Sequence, residues 1–296
     1  MTARDIVLLD GGMGQELIHR AGDRPTPLWS TQVMIDHPGL VAEVHQAYFD
    51  AGATVATTNT YAIHRDRLKG SGLSRSFEDL HAAALAEVGK VRRPGTRVAG
   101  SIGPLIASYR PDIHPAADVA ISLYAEIAEI LAPHVDLIIV ETVASVDHAR
   151  SGLAGAQAAG KPVWVGLTLD DEDGTILRSG EPLADALAVL GAADAVLANC
   201  SSPEALDVAM PILATAGKPF GGYANAFEQI TTAFLAPSPT VDALHQRRDM
   251  GPATYARHAM GWIDAGASIV GACCEVRPAH IATLAEAIRA AGHRIV

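Results

Sequence analysis

Residues 37–61 read HPGLVAEVHQAYFDAGATVATTNTY and hold one complete structural unit. From 39 to 50, Leu40, Val44, Ala47 and Tyr48 recur at helical spacing and predict an amphipathic helix. Ala51-Gly52 ends it, because a glycine past a helix end takes the left-handed cap. Residues 54–59 then read as a short β-branched strand. A helix handed to a strand through one glycine is the repeating step of an α/β fold.

The same step recurs in both directions. Further strands are predicted at 6–10, 97–102, 136–141, 162–168, 195–200, 219–224 and 268–273. They are rich in Val and Ile and mostly apolar without strict alternation, which is how strands covered on both faces of a parallel sheet read. Helices are predicted at 77–88, 117–131, 147–158, 182–190, 204–213, 254–265 and 280–290. Eight strands alternating with helices over 296 residues predict an α/β fold of the (β/α)8 TIM type, one domain over 1–296. A doubly wound open sheet is the competing architecture. It is disfavoured as a dinucleotide fold because Asp10-Gly11-Gly12-Met13-Gly14 stands where a G-x-G-x-x-G turn would follow the first strand. Two stretches, 22–39 and 225–252, exceed ordinary loops and are expected to shape an active site.

Hydrophobic residues make up 49% of the chain and charged residues 19%, enough for a large core. A formal net charge of -11 argues against nucleic acid or an anionic membrane as partner and leans toward small cationic molecules. The first residues, MTARDIVLLDGGMG, lack the pattern of a secretory signal, and no apolar run approaches the length of a membrane span. Three cysteines do not make a disulfide framework, and the cytoplasm is the expected compartment.

Those cysteines, Cys200, Cys273 and Cys274, all fall at predicted carboxyl ends of strands, the face that carries function in such a barrel. Three thiolates can hold a metal ion and leave one position open, as catalytic zinc sites do. Consecutive residues of a regular strand point to opposite faces, so Cys273 and Cys274 share an ion only if the backbone leaves strand geometry there. A thiol bound in the open position becomes a thiolate at neutral pH. Its natural reaction is displacement at a methyl group on a sulfonium or quaternary ammonium. Taken singly, each cysteine is as well explained by core packing. The twelve histidines, with His45, His81, His148 and His258 inside helical patterns, are read as structural.

In order along the chain, LLDGGMGQEL, HPGLVAEVHQAYFDAGATVATTNTY, GSIGP, DLIIVET, ANCSSPE and GACCEVRPAHI resemble the homocysteine S-methyltransferase family nearly end to end. NCSSP together with a late vicinal cysteine pair is the specific combination. The resemblance implies a homocysteine-binding barrel with Zn2+ on Cys200, Cys273 and Cys274, passing a methyl group to homocysteine to give methionine. It implies that Asp10, Gly11 and Gly12 hold the amino acid part of homocysteine, and that Glu141 accepts from its ammonium. Asn59, Thr60, Tyr61 and Asn199 are candidates for contact with substrate or the open metal position.

Two segments depart from the family pattern. Glu275-Val276-Arg277 stands where many relatives continue GGCCG or GGCCR, and Ala224-Asn225-Ala226 replaces part of a YPNSGE-like segment. Both bear on the donor, which the resemblance narrows to S-methylmethionine, S-adenosylmethionine or a betaine. Trp29, Tyr61, Tyr109, Tyr223 and Phe227 are the aromatics available to cage such a cation. A zinc-thiolate hydrolase and a non-catalytic zinc or thiol sensor are the rival functions.

Overall fold

A computed structural model describes residues 3–22, 26, 28–69, 76–235 and 244–296; for Trp29, Thr232 and Ala233 it describes the backbone alone. Nine strands are present among these residues: β1 (Asp5–Leu8), β2 (Val55–Thr57), β3 (Arg97–Ile102), β4 (Leu137–Val143), β5 (Val163–Leu167), β6 (Ala195–Asn199), β7 (Phe220–Ala224), β8 (Ile269–Ala272) and β9 (Arg294–Ile295). The helices are α1 (Met13–Ala21), α2 (Trp29–Asp36), α3 (Leu40–Ala51), α4 (Arg65–Leu68), α5 (Phe77–Gly89), α6 (Ala117–Leu131), α7 (Val146–Ala156), α8 (Leu183–Val189), α9 (Pro203–Ala214), α10 (Pro252–Asp264) and α11 (Pro278–Ala290).

All strand pairs are parallel, in the order β2-β3-β4-β5-β6-β7-β8-β1-β9. The sheet curls until its first and eighth members meet. Thr54 N–H donates to Leu8 O at 2.7 Å, Asp10 N–H donates to Val55 O at 3.1 Å, and Leu9 pairs in parallel with Val55. A large apolar core lies between sheet and helices. A second, inner cluster takes Val55, Ala99, Ile139, Trp164, Leu197, Tyr223 and Ile269 from the strands β2 to β8, and Leu9 from just past β1. The alternation of a strand sends those residues inward and their neighbours outward to the helices.

The predicted strands and later helices appear within a few residues of expectation. Four elements differ, the first being the single-turn α4, which falls where no helix was predicted. Residues 22–39, expected as a loop, contain α2, whose apolar residues do not gather into a single stripe. α1 follows directly on Gly12, and β9 pairs with β1 at residues with no strand-like run. The segment 225–252 runs as loop with a 3-10 turn at Thr232–Leu235; its residues 236–243 lie outside the described ones. Among the described residues no helix is long and apolar enough to cross a membrane.

Candidate active and metal site

Alternation carries the chemistry to one end of the curled sheet. In β4, Leu137, Ile139 and Glu141 share the inner face; in β3, Ala99 and Ser101 do; in β6, Ala195, Leu197 and Asn199 do. The carboxyl ends open into a cleft, about 940 Å³ with open solvent at its mouth included, lined among others by Asp10, Gly11, Gly12, Gln15, Asn59, Tyr61, Glu141, Cys200, Tyr223, Cys273 and Cys274.

The three cysteines stand just past the ends of β6 and β8. Cys200 Sγ is 3.9 Å from Cys274 Sγ, Cys273 Sγ is 3.8 Å from Cys274 Sγ, and all three lie within 4.8 Å of one another. β7 is the spacer: Cys200 N–H donates to Tyr223 O at 3.2 Å and Cys273 N–H to Ala224 O at 2.8 Å. The backbone leaves strand geometry at both points. Cys200 has φ 49°, a left-handed conformation rare outside glycine. β8 stops at Ala272, and Val276 N–H closes a turn onto Cys273 O, with Glu275 at φ 62°. Hydrogen bonds from Cys273 and Cys274 pull the Cys200 thiol well below its ordinary range, and the same sharing pushes the other two up. The three cysteines are the one group of metal-capable side chains found among the described residues.

Glu141 is buried. Ser101 Oγ donates to its Oε1, and the Tyr223 hydroxyl donates to its Oε2 at 3.2 Å. Burial pushes its pKa up to about 8, against the lowering effect of Ser101; the Cys200 charge adds to the rise. Asp10 is buried too and raised to about 7 by desolvation, although Thr57 donates to it from N–H at 2.8 Å and from its hydroxyl at 3.0 Å. Asp10 therefore ties the end of β1 to β2, and its carbonyl takes Ala272 N–H from β8 at 3.0 Å.

Gly11 and Gly12 are required by close approach. A Cβ on Gly12 would meet Cys273 O at 2.7 Å, and one on Gly11 would meet Val276 O at 2.6 Å. Gly12 N–H is spent on Val276 O at 2.9 Å, and α1 begins there with no side-chain cap. The N–H groups presented to the cleft are thus those of the first turn of α1.

The remaining candidates divide. Asn59 and Tyr61 line the cleft; Asn59 Nδ2 donates to Ser30 O at 3.3 Å, and the Tyr61 hydroxyl pairs with Ser108 at 2.7 Å. Thr60 and Asn199 stand behind the wall. The Thr60 hydroxyl donates to Ser101 O at 2.6 Å, while Asn199 accepts from Thr142 N–H at 2.9 Å and donates to Thr142 Oγ1 at 3.1 Å. That clasp holds Thr142 at φ 60°, a strained state for a β-branched residue that costs on the order of 1–3 kcal/mol. Tyr109, Tyr223 and Phe227 line the cleft with Phe234, and the side chain of Trp29 lies outside the described residues.

Sequence reasoning missed Ser101 and Tyr223 as partners of Glu141. It named Tyr109 and Phe227 but missed Phe234 and Leu244, which complete an apolar cover packed with the cysteines. His45, His81, His148 and His258 sit on α3, α5, α7 and α10, away from the sulfurs.

The profile of the homocysteine S-methyltransferase family matches residues 7–288. The chain is 30% identical to the homocysteine S-methyltransferase of Escherichia coli (strain K12), over 96% of each chain. It is 26% identical to homocysteine S-methyltransferase 4 of Zea mays, over 96% of this chain and 90% of that one. In three dimensions it matches the metallated form of the homocysteine methyltransferase MmuM from Escherichia coli with a TM-score of 0.79, 27% identity and 96% coverage of both chains. The chain belongs to the homocysteine S-methyltransferase family and is an enzyme of that class.

Proposed function

We propose that the chain transfers a methyl group from a small onium donor to the sulfur of L-homocysteine, giving L-methionine, with Zn2+ on Cys200, Cys273 and Cys274. The sulfur spacing carries this reading. A tetrahedral ion with Zn–S bonds of about 2.3 Å sets its sulfurs about 3.8 Å apart. Two of the three pairs here stand 3.8 and 3.9 Å apart, and the third lies within 4.8 Å. When bound, zinc lowers the pKa of a substrate thiol so that it is a nucleophile at neutral pH.

The chain's own residues do the rest. Glu141, held by Ser101 and Tyr223, accepts from the homocysteine ammonium. The first turn of α1, after Gly11 and Gly12, faces its carboxylate with N–H groups and the positive end of the helix dipole. Asp10 keeps that turn against β2. Asn59 and Tyr61 border the amino acid, and Thr60 and Asn199 brace the wall behind them. Tyr109, Phe227, Phe234 and Leu244 cover the sulfurs and exclude water, and their aromatic faces suit a cationic methyl donor. The donor leaves neutral, so nothing need neutralise a leaving group.

The same reading takes the curled sheet as a closed (β/α)8 barrel, supported by the backbone bonds between Leu8 and Thr54 and between Asp10 and Val55, and takes 1–296 as one homocysteine-binding domain. It sets the protein in the cytoplasm with small molecules as partners. Zinc-loaded protein incubated with homocysteine and separate S-methylmethionine, S-adenosylmethionine and glycine betaine should yield methionine from one of them. No methionine from any donor at full metal occupancy sinks the proposal.

A further inference from the structure

Asp171 and Arg178 form a pair in the loop between β5 and α8, and neither belongs to the wall of the cleft. Arg178 Nη1 donates to Oδ2 and Nη2 to Oδ1 of Asp171, at 2.8 and 2.7 Å, with 14% of the Asp171 and 11% of the Arg178 side chain exposed. Desolvation offsets much of the attraction in so buried a pair, so stability alone is a weak reason for it.

Its other contacts give the stronger reason. Oδ1 of Asp171 also accepts from Ser202 N–H at 3.3 Å, and Oδ2 from Ile230 N–H at 3.2 Å. The Ser202 hydroxyl donates to the Asp171 carbonyl at 3.2 Å. The Arg178 guanidinium lies over the Tyr109 ring, 5.4 Å from its centre. One carboxylate thus joins the loops that follow β5, β6 and β7, and through Arg178 the loop that follows β3. Ser202 is two residues beyond Cys200. Ile230 lies between Phe227 and Phe234, which pack with Tyr109 over the sulfurs.

We infer that Asp171 is a positioning residue for the methyl donor: it sets the aromatic cover over the cysteines while leaving the metal ligands and the homocysteine pocket to other supports. This rests on the proposed methyl transfer. Cys200 and Cys273 hang on β7, and Glu141 on Ser101 and Tyr223, by bonds that do not pass through Asp171. The cover has further ties, among them Ala226 N–H to Cys274 O at 3.0 Å, Asn225 N–H to Ser201 O at 3.1 Å and Arg110 Nη1 to Leu235 O at 2.7 Å. Loss of Asp171 therefore displaces the cover without detaching it. Displacement is enough, because a shift of about 1 Å in a positioning element can slow a reaction about 100-fold.

The test compares zinc-loaded full-length wild type, Asp171→Asn and Arg178→Lys in zinc content, homocysteine binding by calorimetry, kinetics with S-methyl-L-methionine, and amide exchange at Ile230. The amide variant sets an NH2 against the donors that the carboxylate served. Expected in Asp171→Asn are wild-type zinc content and homocysteine affinity, faster exchange at Ile230, and a kcat/KM for the donor reduced about tenfold or more. Arg178→Lys should move the same quantities the same way by less, and it decides the matter if Asp171→Asn does not fold. Parallel loss of zinc and homocysteine binding would reveal a structural role and overturn the inference. So would unchanged donor kinetics, or unchanged exchange at Ile230. Wild type inactive with this donor counts against the reading of the reaction instead; the Ile230 exchange and homocysteine binding then still decide on Asp171.

Discussion

Tyr223 on β7 donates its phenolic hydrogen to Oε2 of Glu141 on β4, at 3.2 Å across the inside of the curled sheet. Ser101 serves the other oxygen, so both accept from neutral hydroxyls. The described residues lining the cleft include no lysine, arginine or histidine. A buried carboxyl so placed holds its proton up to about 8 and gains an ionic partner only from a ligand.

Replacing Glu141 by Gln should therefore leave metal content intact and raise KM for homocysteine. The loss of one charge-assisted hydrogen bond predicts a rise of roughly 10- to 100-fold. Steady-state kinetics with metal analysis on the same sample checks it. Unchanged KM removes Glu141 from the site.

The two raised carboxyls also set a pH dependence. Folded Asp10 and Glu141 keep their protons up to about 7 and about 8, whereas in the unfolded chain they lose them near 3.8 and 4.5. Through that window the folded state binds more protons, so its stability falls as pH rises. Denaturant midpoints of ligand-free protein should drop between pH 5 and 8, and less steeply in Glu141→Gln. Equal slopes in the two proteins contradict the assignment.

Each of Cys200→Ala, Cys273→Ala and Cys274→Ala should weaken metal binding by more than about 100-fold, since even outer contacts of a metal site are worth 10- to 100-fold. Folding should survive, because the three thiols sit beyond the strand ends. Competition with a chromogenic chelator measures the affinity; wild-type affinity in any one variant ends that residue's claim to be a ligand.

Gly12→Ala tests the turn from the other side. Its new methyl would lie 2.7 Å from Cys273 O and 3.3 Å from Cys274 Cα, both backbone atoms that cannot swing aside. Overpacking of this kind costs about 1–3 kcal/mol. A lower melting temperature together with weakened metal binding is expected, and metal binding equal to wild type would show that the cysteine turn yields freely.

The alternation of helix and strand was legible because both periods are local: Leu40, Val44 and Tyr48 mark one face of α3, and Val55 to Thr57 the strand after it. The cysteines were legible because few residue types do what a thiolate does and all three fell at strand ends. The partners of Glu141 were not. Ser101 reaches it from the adjacent strand and Tyr223 from three strands away, and only the curl of the sheet brings them together. The left-handed turns at Thr142 and Cys200 carry no glycine to announce them. α2 escaped because its apolar residues follow no clean helical stripe. Nothing in the sequence marks Asp171, whose four donors come from Arg178 and from the loops after β6 and β7.

The sulfur cluster draws one member from just past β6 and two from the segment after β8, and Cys274 follows Cys200 by 74 positions. A polypeptide still being synthesised, with β6 finished and β8 not yet made, owns a single thiol and no place to put an ion. The three-sulfur site therefore exists only once β8 has taken its place beside β1, and a chain stopped before residue 273 would carry Cys200 without the two partners it needs to hold an ion.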